Sequence, residues 1–355
     1  MRVLYFGTYE RHYPRNAQVI SALRSAGVDV LEHHLPVWET SPHKWRAGAG
    51  AAARLALAEA RLLRRPRADF DAVIVGYPGH LDLAAARRAA RGRPVVFNPL
   101  VSLYDTFVDD RARFRRGSLA ARALSAIDRR ALRAADLVIA DTNAGADYLA
   151  SLADIPRSRI EVCFVGAEER VFRPGWKPEA PFKALFIGKL IPLHGLENVL
   201  EAARIADELA FKIVGSGQLE PLLRDAPKNI DHVPWIEYDL LPAALHTAGC
   251  ALGIFGTSAK AQRVIPNKVF QAIACGVPVV TADTPATREL LADGESALLV
   301  PPGDPLALAK ATSRLAGDAE LARRIAAGGS EVYRAQASEQ ALGRRWRGLL
   351  EGLTG

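Results

Sequence analysis

The sequence predicts an α/β protein built from two doubly wound parallel-sheet domains. Strand patterns alternate with helix patterns through both halves, as in sheets whose strands are joined by crossover helices. The 355 residues exceed one ordinary domain, and 49% hydrophobic residues suffice for two cores. A stretch dense in Gly and Pro, 175–181, is the expected linker. We therefore expect domains at 1–174 and 182–337, with a last helix, 338–355, that packs back on the first domain.

In the first half, short apolar runs predict six strands and longer Ala- or Arg-rich runs predict three helices. The first strand ends in the loop Gly7–Asn16, whose polar and aromatic side chains favour a pocket loop over a merely long connection. His80, after the third strand, fits a structural role better than a catalytic one. The strands are expected at 3–6, 28–32, 72–75, 94–97, 137–140 and 160–165, and the helices at 17–26, 44–65 and 111–133.

In the second half, the stretch from Phe255 to Val280 reads as strand end, polar loop, helix, glycine and strand. Gly276 is a typical helix stop. A helix N-terminus near Lys260, Arg263 and Lys268 suits an anion such as a diphosphate, although a basic solvated loop before an ordinary crossover helix has the same pattern. The strands are expected at 184–187, 211–214, 232–235, 250–255, 278–281 and 297–300, and the helices at 196–209, 240–247, 268–275, 306–315, 320–334 and 339–353.

The charge of the chain is uneven. Residues 1–175 hold 27 Lys and Arg against 19 Asp and Glu, whereas the remainder holds 19 against 20. A basic first half favours an anionic partner, such as a membrane surface or a phosphorylated acceptor. No nucleic-acid module is recognisable, so nucleic acid is not expected as a partner. The three cysteines are predicted to be reduced core residues, and the start has no signal-peptide pattern, so we expect a cytoplasmic protein.

Several residues at predicted strand ends of the second half suit a phosphate-containing ligand. Gly188 and Gly195 allow the main chain to approach a phosphate, and Lys189 and Lys268 can neutralise it. The amides of Asn267 and Gln271 can hydrogen-bond hydroxyl groups. Gly215-Ser216-Gly217 is a lone G-x-G, which by itself is a weak signal. No metal-ligand spacing is visible, so the residue types favour a nucleotide-linked ligand over a redox cofactor or a metal.

Four segments together carry a family resemblance. They are G-K-L-I-P-L-H-G at 188–195, V-G-S-G-Q-L-E-P-L-L at 214–223, N-K-V-F-Q-A-I-A-C-G-V-P-V-V at 267–280, and the run R-E-L-L-A-D-G-E-S-A-L-L-V-P-P-G-D-P from Arg288 onward. In this order they resemble the donor domain of retaining GT-B glycosyltransferases of family 4. The segment V-G-A-E-E-R-V-F-R-P before the linker resembles that family's equivalent. The resemblance implies two Rossmann-like domains facing a central cleft.

The resemblance also implies an activity. Such enzymes transfer a sugar from a nucleotide diphosphate sugar to an acceptor hydroxyl with retained configuration, without a cofactor and generally without a metal. Lys189 and His194 replace the family's loop arginine and lysine, and Arg263 and Gln271 replace its paired glutamates. Lys189, Lys268 and Arg263 are then expected to act on the leaving diphosphate. The donor would meet Gly188, His194, Gly195, Gly215, Gly217, Trp235, Asn267 and Gln271.

The first half would hold the acceptor, a glycan or a lipid-linked molecule. Its expected contacts are Tyr9, Glu10, Arg11, Arg15, Tyr104 and Asp105. The arginine-rich segment Arg111–Arg133 fits either a membrane-facing amphipathic helix or a solvated surface helix, so the inner face of the membrane is a second expected location.

Two other functions suit the same fold. The altered glutamate pair favours a nucleotide-binding pseudoenzyme, and a sugar-nucleotide epimerase would act on the donor without an acceptor.

Overall fold

A computed structural model describes residues 1–39, 49–64 and 68–355. The chain divides into two compact units: unit 1 comprises Met1–Val165 with Glu339–Gly355, and unit 2 comprises Gly166–Ser338. The division falls after Val165 and not after residue 174 as expected. Segment 175–181 belongs to unit 2, where three of its backbone N–H groups donate to carbonyl oxygens at 2.8–3.2 Å. These hydrogen bonds hold it against unit 2, so it is not a free linker.

Unit 1 contains a six-stranded sheet. Its strands are β1 (Arg2–Gly7), β2 (Asp29–His34), β3 (Ala72–Val75), β4 (Val95–Phe97), β5 (Leu137–Ala140) and β6 (Ile160–Val162). Every neighbouring pair is parallel, in the order β2-β1-β3-β4-β5-β6. β1 and β3 are buried almost throughout because helices cover both sides of the sheet.

The helices of unit 1 are α1 (Pro14–Ser25), α2 (Ala49–Leu62), α3 (Leu83–Ala90), α4 (Leu119–Ala134), α5 (Asn143–Ala153) and, from the chain end, α11 (Glu339–Thr354). Of the predicted helix 44–65, residues 44–48 and 65 lie outside the described residues. α11 packs on α1, and its Trp346 and Leu350 are buried in the same core as Val19 and Leu23. Burial of such apolar side chains is the main force that holds a terminal helix in place.

Two helix starts differ from the prediction, each for a local reason. Pro14 occupies the first turn of α1, so Arg15 and Asn16 lie in the helix and not in the preceding loop. Ser118 caps α4 by accepting from the Ala121 N–H at 3.2 Å, so the helix begins eight residues after Arg111. α3 and α5 were not predicted; α3 is only eight residues long.

Unit 2 repeats the architecture. Its strands are β7 (Lys183–Ile187), β8 (Ala210–Val214), β9 (Ile230–Val233), β10 (Cys250–Leu252), β11 (Val279–Ala282) and β12 (Leu298–Val300), all parallel in the order β12-β11-β10-β7-β8-β9. This is the Rossmann strand order. The order in which strands are added to the sheet reverses between β7 and β10. The helices are α6 (Leu196–Ile205), α7 (Leu241–Thr247), α8 (Asn267–Cys275), α9 (Pro305–Gly317) and α10 (Ala319–Val332).

The predicted stop of α8 is confirmed. Gly276 has a left-handed backbone with φ 77°, which a residue with a Cβ adopts only with strain. The Gly276 N–H donates to the Ile273 carbonyl at 3.2 Å, and the Val277 N–H donates to the Ala272 carbonyl at 2.9 Å. This pair of hydrogen bonds satisfies the last helical carbonyls and turns the chain directly into β11. The prediction of buried, unpaired cysteines is also confirmed.

Candidate functional site

The candidate site of unit 2 lies where the strand order reverses. Loops from the carboxyl ends of β7 and β10 leave the sheet on opposite sides there, which is the usual ligand position in open α/β sheets. The loop after β7 holds Gly188, Lys189, His194 and Gly195. The chain after β10 passes through the turn Ala261–Arg263 into α8.

Glycines allow these loops to pack closely. Gly195 has φ 64°, and a Cβ on it would stand 2.6 Å from the backbone nitrogen of Gly256. A Cβ on Gly215 would overlap the carbonyl oxygen of Gly188, and the Gly188 N–H donates to the Val214 carbonyl at 2.9 Å. The main chain after β7 is therefore pressed against the turn after β8 and the chain after β10, and larger residues would separate these segments.

Lys268 is the central side chain of the site. It stands in the first turn of α8, it is 9% exposed, and its Nζ lies 3.5 Å from the centre of the Phe186 ring. This nitrogen is buried and has no hydrogen-bond partner among the described residues. Burial lowers the pKa of Lys268 well below its usual range. A lysine in this state suits an anion that supplies the missing hydrogen-bond acceptors.

His194 and Lys268 meet above Gly188. A Cβ on Gly188 would stand 3.1 Å from Nζ of Lys268 and 3.2 Å from Cε1 of His194. The Nδ1–H of His194 donates to the Lys189 carbonyl at 2.6 Å, which orients the ring and directs Nε2 away from that carbonyl. The Lys189 side chain is exposed. Three of the predicted residues, Gly188, His194 and Lys268, are thus brought together.

Gln271 lies one turn further along α8, on the same side as Lys268, and is 7% exposed. It lies beside the hydroxyl of Tyr238. Burial raises the pKa of that hydroxyl, as does the carboxylate of Glu168, and the Gln271 amide acts in the opposite direction. Arg263 and Asn267 are partly exposed on the turn before α8 and at its first residue.

Trp235 follows β9, two strands away from β7. Its indole is 71% exposed, and Nε1–H donates to Glu237 at 3.2 Å. Gly217, in the turn after β8, donates its N–H to Glu220 at 3.4 Å. An exposed aromatic ring at the same sheet edge offers a stacking surface for a planar group.

In unit 1, the structure corrects two predicted acceptor residues. Tyr9 is fully buried and donates its hydroxyl to Glu32 at 2.9 Å. Arg15 is fully buried, donating through Nε to Asn98 at 3.0 Å and through Nη1 to the carbonyls that follow β6. Neither side chain has surface to offer a ligand, and both join segments of unit 1.

The other four predicted acceptor residues are placed differently. Arg11 is half exposed and pairs with Glu32 at 2.9 Å, whereas Glu10 is partly buried. Tyr104 is partly buried, and its N–H donates to Asp128 at 2.9 Å. Asp105 is 5% exposed and opens the π-helical turn Asp105–Asp110. Arg11, Glu10 and Tyr104 keep some exposed surface.

Sequence reasoning missed a buried polar network. Asp82 accepts from the Thr8 N–H at 2.6 Å and from its hydroxyl at 3.0 Å. Burial, followed by the neighbouring Asp82 carboxyl, raises the pKa of Glu59 to about 9. His80 is buried, hydrogen-bonds the Pro78 carbonyl and pairs with Asp128 at 3.3 Å, which supports its predicted structural role. The signal in the sequence is Asp82, an acidic residue two positions after His80 in the segment that follows β3.

A cavity of about 330 Å³ adjoins this network within unit 1. Most of its lining is apolar, and the apolar members include Trp38, Leu81, Leu103, Phe107 and Phe114. Its polar members are Thr8, His80, Asp82 and Arg113. In the part of the chain that the structure describes, no helix has the length and apolarity to cross a bilayer. The same residues contain no group of three potential metal ligands.

Two family models match the chain. Residues 181–318 match the family described as "Glycosyl transferases group 1", and residues 2–166 match the "Glycosyl transferase 4-like domain". Together they cover most of both units. The four segments that carry the sequence resemblance in the second half lie within the match at residues 181–318.

Curated relatives match in part. The chain is 34% identical over 160 residues to a phosphatidyl-myo-inositol mannosyltransferase of Mycobacterium leprae, covering 42% of this chain and 41% of that protein. It is 26% identical over 248 residues to a D-inositol 3-phosphate glycosyltransferase of Nocardioides, covering 57% and 51%. The matches thus span about half the length of these relatives or less.

Solved structures match over the whole chain. Sucrose-phosphate synthase from Thermosynechococcus elongatus has a TM-score of 0.73 at 18% identity, covering 99% of this chain and 98% of that one. HepE from Anabaena, solved in complex with UDP-glucose, has a TM-score of 0.69 at 16% identity, covering 99% and 100%. These likenesses show the two-domain GT-B fold. With this fold, and with family models matched to both of its units, the chain belongs to the group 1 glycosyltransferases, family 4.

Proposed function

We propose that the protein transfers a sugar from a nucleotide diphosphate sugar to an acceptor hydroxyl with retention at the anomeric carbon. The observation that carries the proposal is the buried ε-amino group of Lys268, which has no hydrogen-bond partner among the described residues. It lies beside Gly188 and His194 at the strand-order reversal of unit 2. An anion at the N-terminus of α8 would supply acceptors to it. Family membership supports the proposal, as does HepE, a protein of the same fold solved with UDP-glucose.

In the proposed reaction, the bond from the anomeric carbon to the β-phosphate oxygen breaks and a bond to the acceptor oxygen forms. The acceptor's proton passes to the departing phosphate. Negative charge grows on that phosphate, so Lys268, Lys189 and Arg263, with the N-terminus of α8, would stabilise the transition state more than the ground state. Mutation of a single donor in such a site typically costs about 2.7–4 kcal/mol of barrier.

The rest of unit 2 would orient the donor. The exposed indole of Trp235 would stack on the nucleotide base, and the main chain at Gly215 and Gly217 would lie along the nucleotide. Gln271 and Asn267 would hydrogen-bond ribose or sugar hydroxyls. Fixing the donor in this way removes orientational freedom before the bond breaks.

We place the acceptor, a glycan or a lipid-linked molecule, on unit 1. Glu10, Arg11, Tyr104 and Asp105 remain its proposed contacts, and of these Asp105 has the least exposed surface. The positive charge of residues 1–175 favours a phosphorylated acceptor or an anionic membrane surface. We therefore propose a cytoplasmic protein that also binds peripherally to the inner face of the membrane.

A panel of UDP-, GDP- and ADP-sugars tests the proposal in two steps. A true donor should raise the melting temperature, since a ligand at 100 times its Kd adds about 2.7 kcal/mol to native-state stability. Incubation of that donor with candidate glycan and lipid acceptors, with EDTA present, should give an α-linked product from an α-linked donor by NMR. If no sugar nucleotide stabilises the protein, the proposal fails.

A nucleotide-binding pseudoenzyme is the second candidate. It is favoured by Arg263 and Gln271, which occupy the two positions where the family that the chain resembles has glutamates. Stabilisation by a sugar nucleotide without transfer or hydrolysis would support it. A sugar-nucleotide epimerase would instead yield an altered donor in the absence of any acceptor, which the same NMR assay detects.

A further inference from the structure

We propose that the donor site takes up one proton, at the ε-amino group of Lys268, when the donor's diphosphate binds. The inference rests on the proposed donor site and adds a property to it. In the free protein Lys268 is a neutral amine, and the bound diphosphate converts it to an ammonium ion. Donor binding therefore weakens as the pH rises.

The geometry of Lys268 is that of a neutral amine. The side chain is nine-tenths buried, and its Nζ has no hydrogen-bond partner among the described residues. The Nζ atom lies over the face of the Phe186 ring, 3.5 Å from the ring centroid. A ring face attracts a cation by about 0.5–2 kcal/mol. Burial of an unpaired ammonium costs several kcal/mol, so the ring cannot keep the charge.

The position in α8 acts in the same direction. Lys268 is the second residue of a nine-residue helix, where the backbone N–H groups carry partial positive charge. A positive side chain is disfavoured there and an anion is favoured. The same helix end therefore opposes the ammonium in the free site and attracts the phosphate that would restore it.

The neighbouring charges do not compensate. His194 meets Lys268 above Gly188, and it is a base, not a counter-ion. Burial is the cause of the lowered pKa of Lys268, and no carboxylate among the described residues raises that pKa. Asp283, after β11, is bound by Arg288, and Glu168 pairs with Arg170 at 2.9 Å. The loops after β7, β10 and β11 also carry the charged residues Lys189, Lys260, Arg263 and Glu289.

The proton must come from solvent. The phosphates of a nucleotide sugar carry no proton that titrates near neutral pH, so the ligand neither supplies nor absorbs one. Lys268 accepts a proton from the buffer and donates N–H hydrogen bonds to phosphate oxygens. By linkage, a complex that holds one more proton than the free protein loses up to tenfold in affinity for each pH unit.

Calorimetry of UDP-glucose binding in buffers of different ionisation enthalpy, between about pH 6 and pH 8.5, measures this proton directly. GDP-mannose or ADP-glucose replaces UDP-glucose if it binds better. We expect uptake that approaches one proton, and an association constant that falls with pH. Lys268→Met should abolish the uptake. The exposed Lys189 provides the matched control: Lys189→Met should weaken binding and leave the proton uptake unchanged. His194→Gln should also leave the uptake unchanged, which excludes the imidazole as the group that takes up the proton.

A second measurement needs no ligand. In protein labelled with ¹³C-lysine, the Lys268 Cε resonance, assigned by its loss in Lys268→Met, should have the shift of a neutral amine near neutral pH. An ammonium shift overturns the inference whatever the calorimetry shows. Donor binding without proton uptake also overturns it and leaves the proposed function intact. Failure of every sugar nucleotide to bind removes the proposed function, and the resonance then decides the state of Lys268.

Discussion

The Gly215 α-carbon faces the carbonyl oxygen of Gly188 with no room for a methyl group between them. The two glycines join the loops after β7 and β8, and both have positive φ, 146° for Gly188 and 140° for Gly215. This contact positions the main chain that flanks Lys268.

Gly215→Ala should therefore lower the stability of unit 2 by about 2 kcal/mol or more, because it combines overlap with a strained backbone. Gly317→Ala is the matched control. It lies at the end of α9 with open space around it and should be neutral or slightly stabilising. Urea unfolding of both variants gives the comparison. Equal stability of the two would show that the loops separate at little cost.

Lys268→Ala should weaken nucleotide diphosphate binding by about 1–3 kcal/mol, the range for hydrogen bonds to charged groups. Lys310→Ala, on the exposed side of α9, removes a lysine without touching the site and should leave affinity unchanged. Calorimetry with the best donor makes the measurement. Parent-like affinity in a folded Lys268→Ala protein would exclude Lys268 from the site.

Gln271→Leu should weaken donor binding by about 1–2 kcal/mol through a lost hydrogen bond, and Gln271→Glu should preserve or tighten it. The physical reason is the place of Gln271 one turn after Lys268, with an uncharged amide that can accept from a ribose hydroxyl. Affinities of the two variants for the same donor test this. If both equal the parent, Gln271 is a packing residue beside Tyr238; together with absent turnover, that result favours the pseudoenzyme.

Glu59→Gln should stabilise the protein above about pH 5. The pKa of Glu59 is raised by burial from 4.5 to about 9, so the folded protein holds this proton more tightly than the unfolded chain does. Its stabilising contribution is present below pH 4.5 and is lost as the pH rises towards 9. The substitution removes that loss, and a gain of about 1–2 kcal/mol at pH 7.5 is expected in urea unfolding. Exposed Glu351→Gln on α11 serves as control; a pH-independent difference between parent and Glu59→Gln would contradict the assignment.

The basic first half should bind anionic vesicles in a salt-dependent manner. Arg129 and Arg130 are exposed on α4 and line a surface depression with Arg133. Co-sedimentation at low salt should detect binding that fades as salt screens the charges. Arg129→Gln with Arg130→Gln should reduce it, whereas Arg323→Gln with Arg324→Gln, on α10 of unit 2, should not. Absence of binding to the parent at low salt would leave α4 a solvated surface helix.

Local chain properties determined the strands, the alternation with helices, and the stop of α8 at Gly276, because apolar runs and glycine backbone preferences act over a few residues. The family resemblance likewise came from ordered local motifs. The starts of α1 and α4 depended on Pro14 and on the Ser118 cap, signals that were present in the sequence and were outweighed by the length of the surrounding polar runs.

Only the tertiary structure decided which polar residues are buried. Tyr9 and Arg15 looked like pocket residues because a loop sequence does not reveal that Glu32, Asn98 and the end of β6 would enclose them. The same holds for Lys268, where the sequence indicated a cation and the fold placed it on Phe186 without an acceptor. Burial depends on partners distant in the chain, and burial sets the charge state of an amine or a carboxyl group.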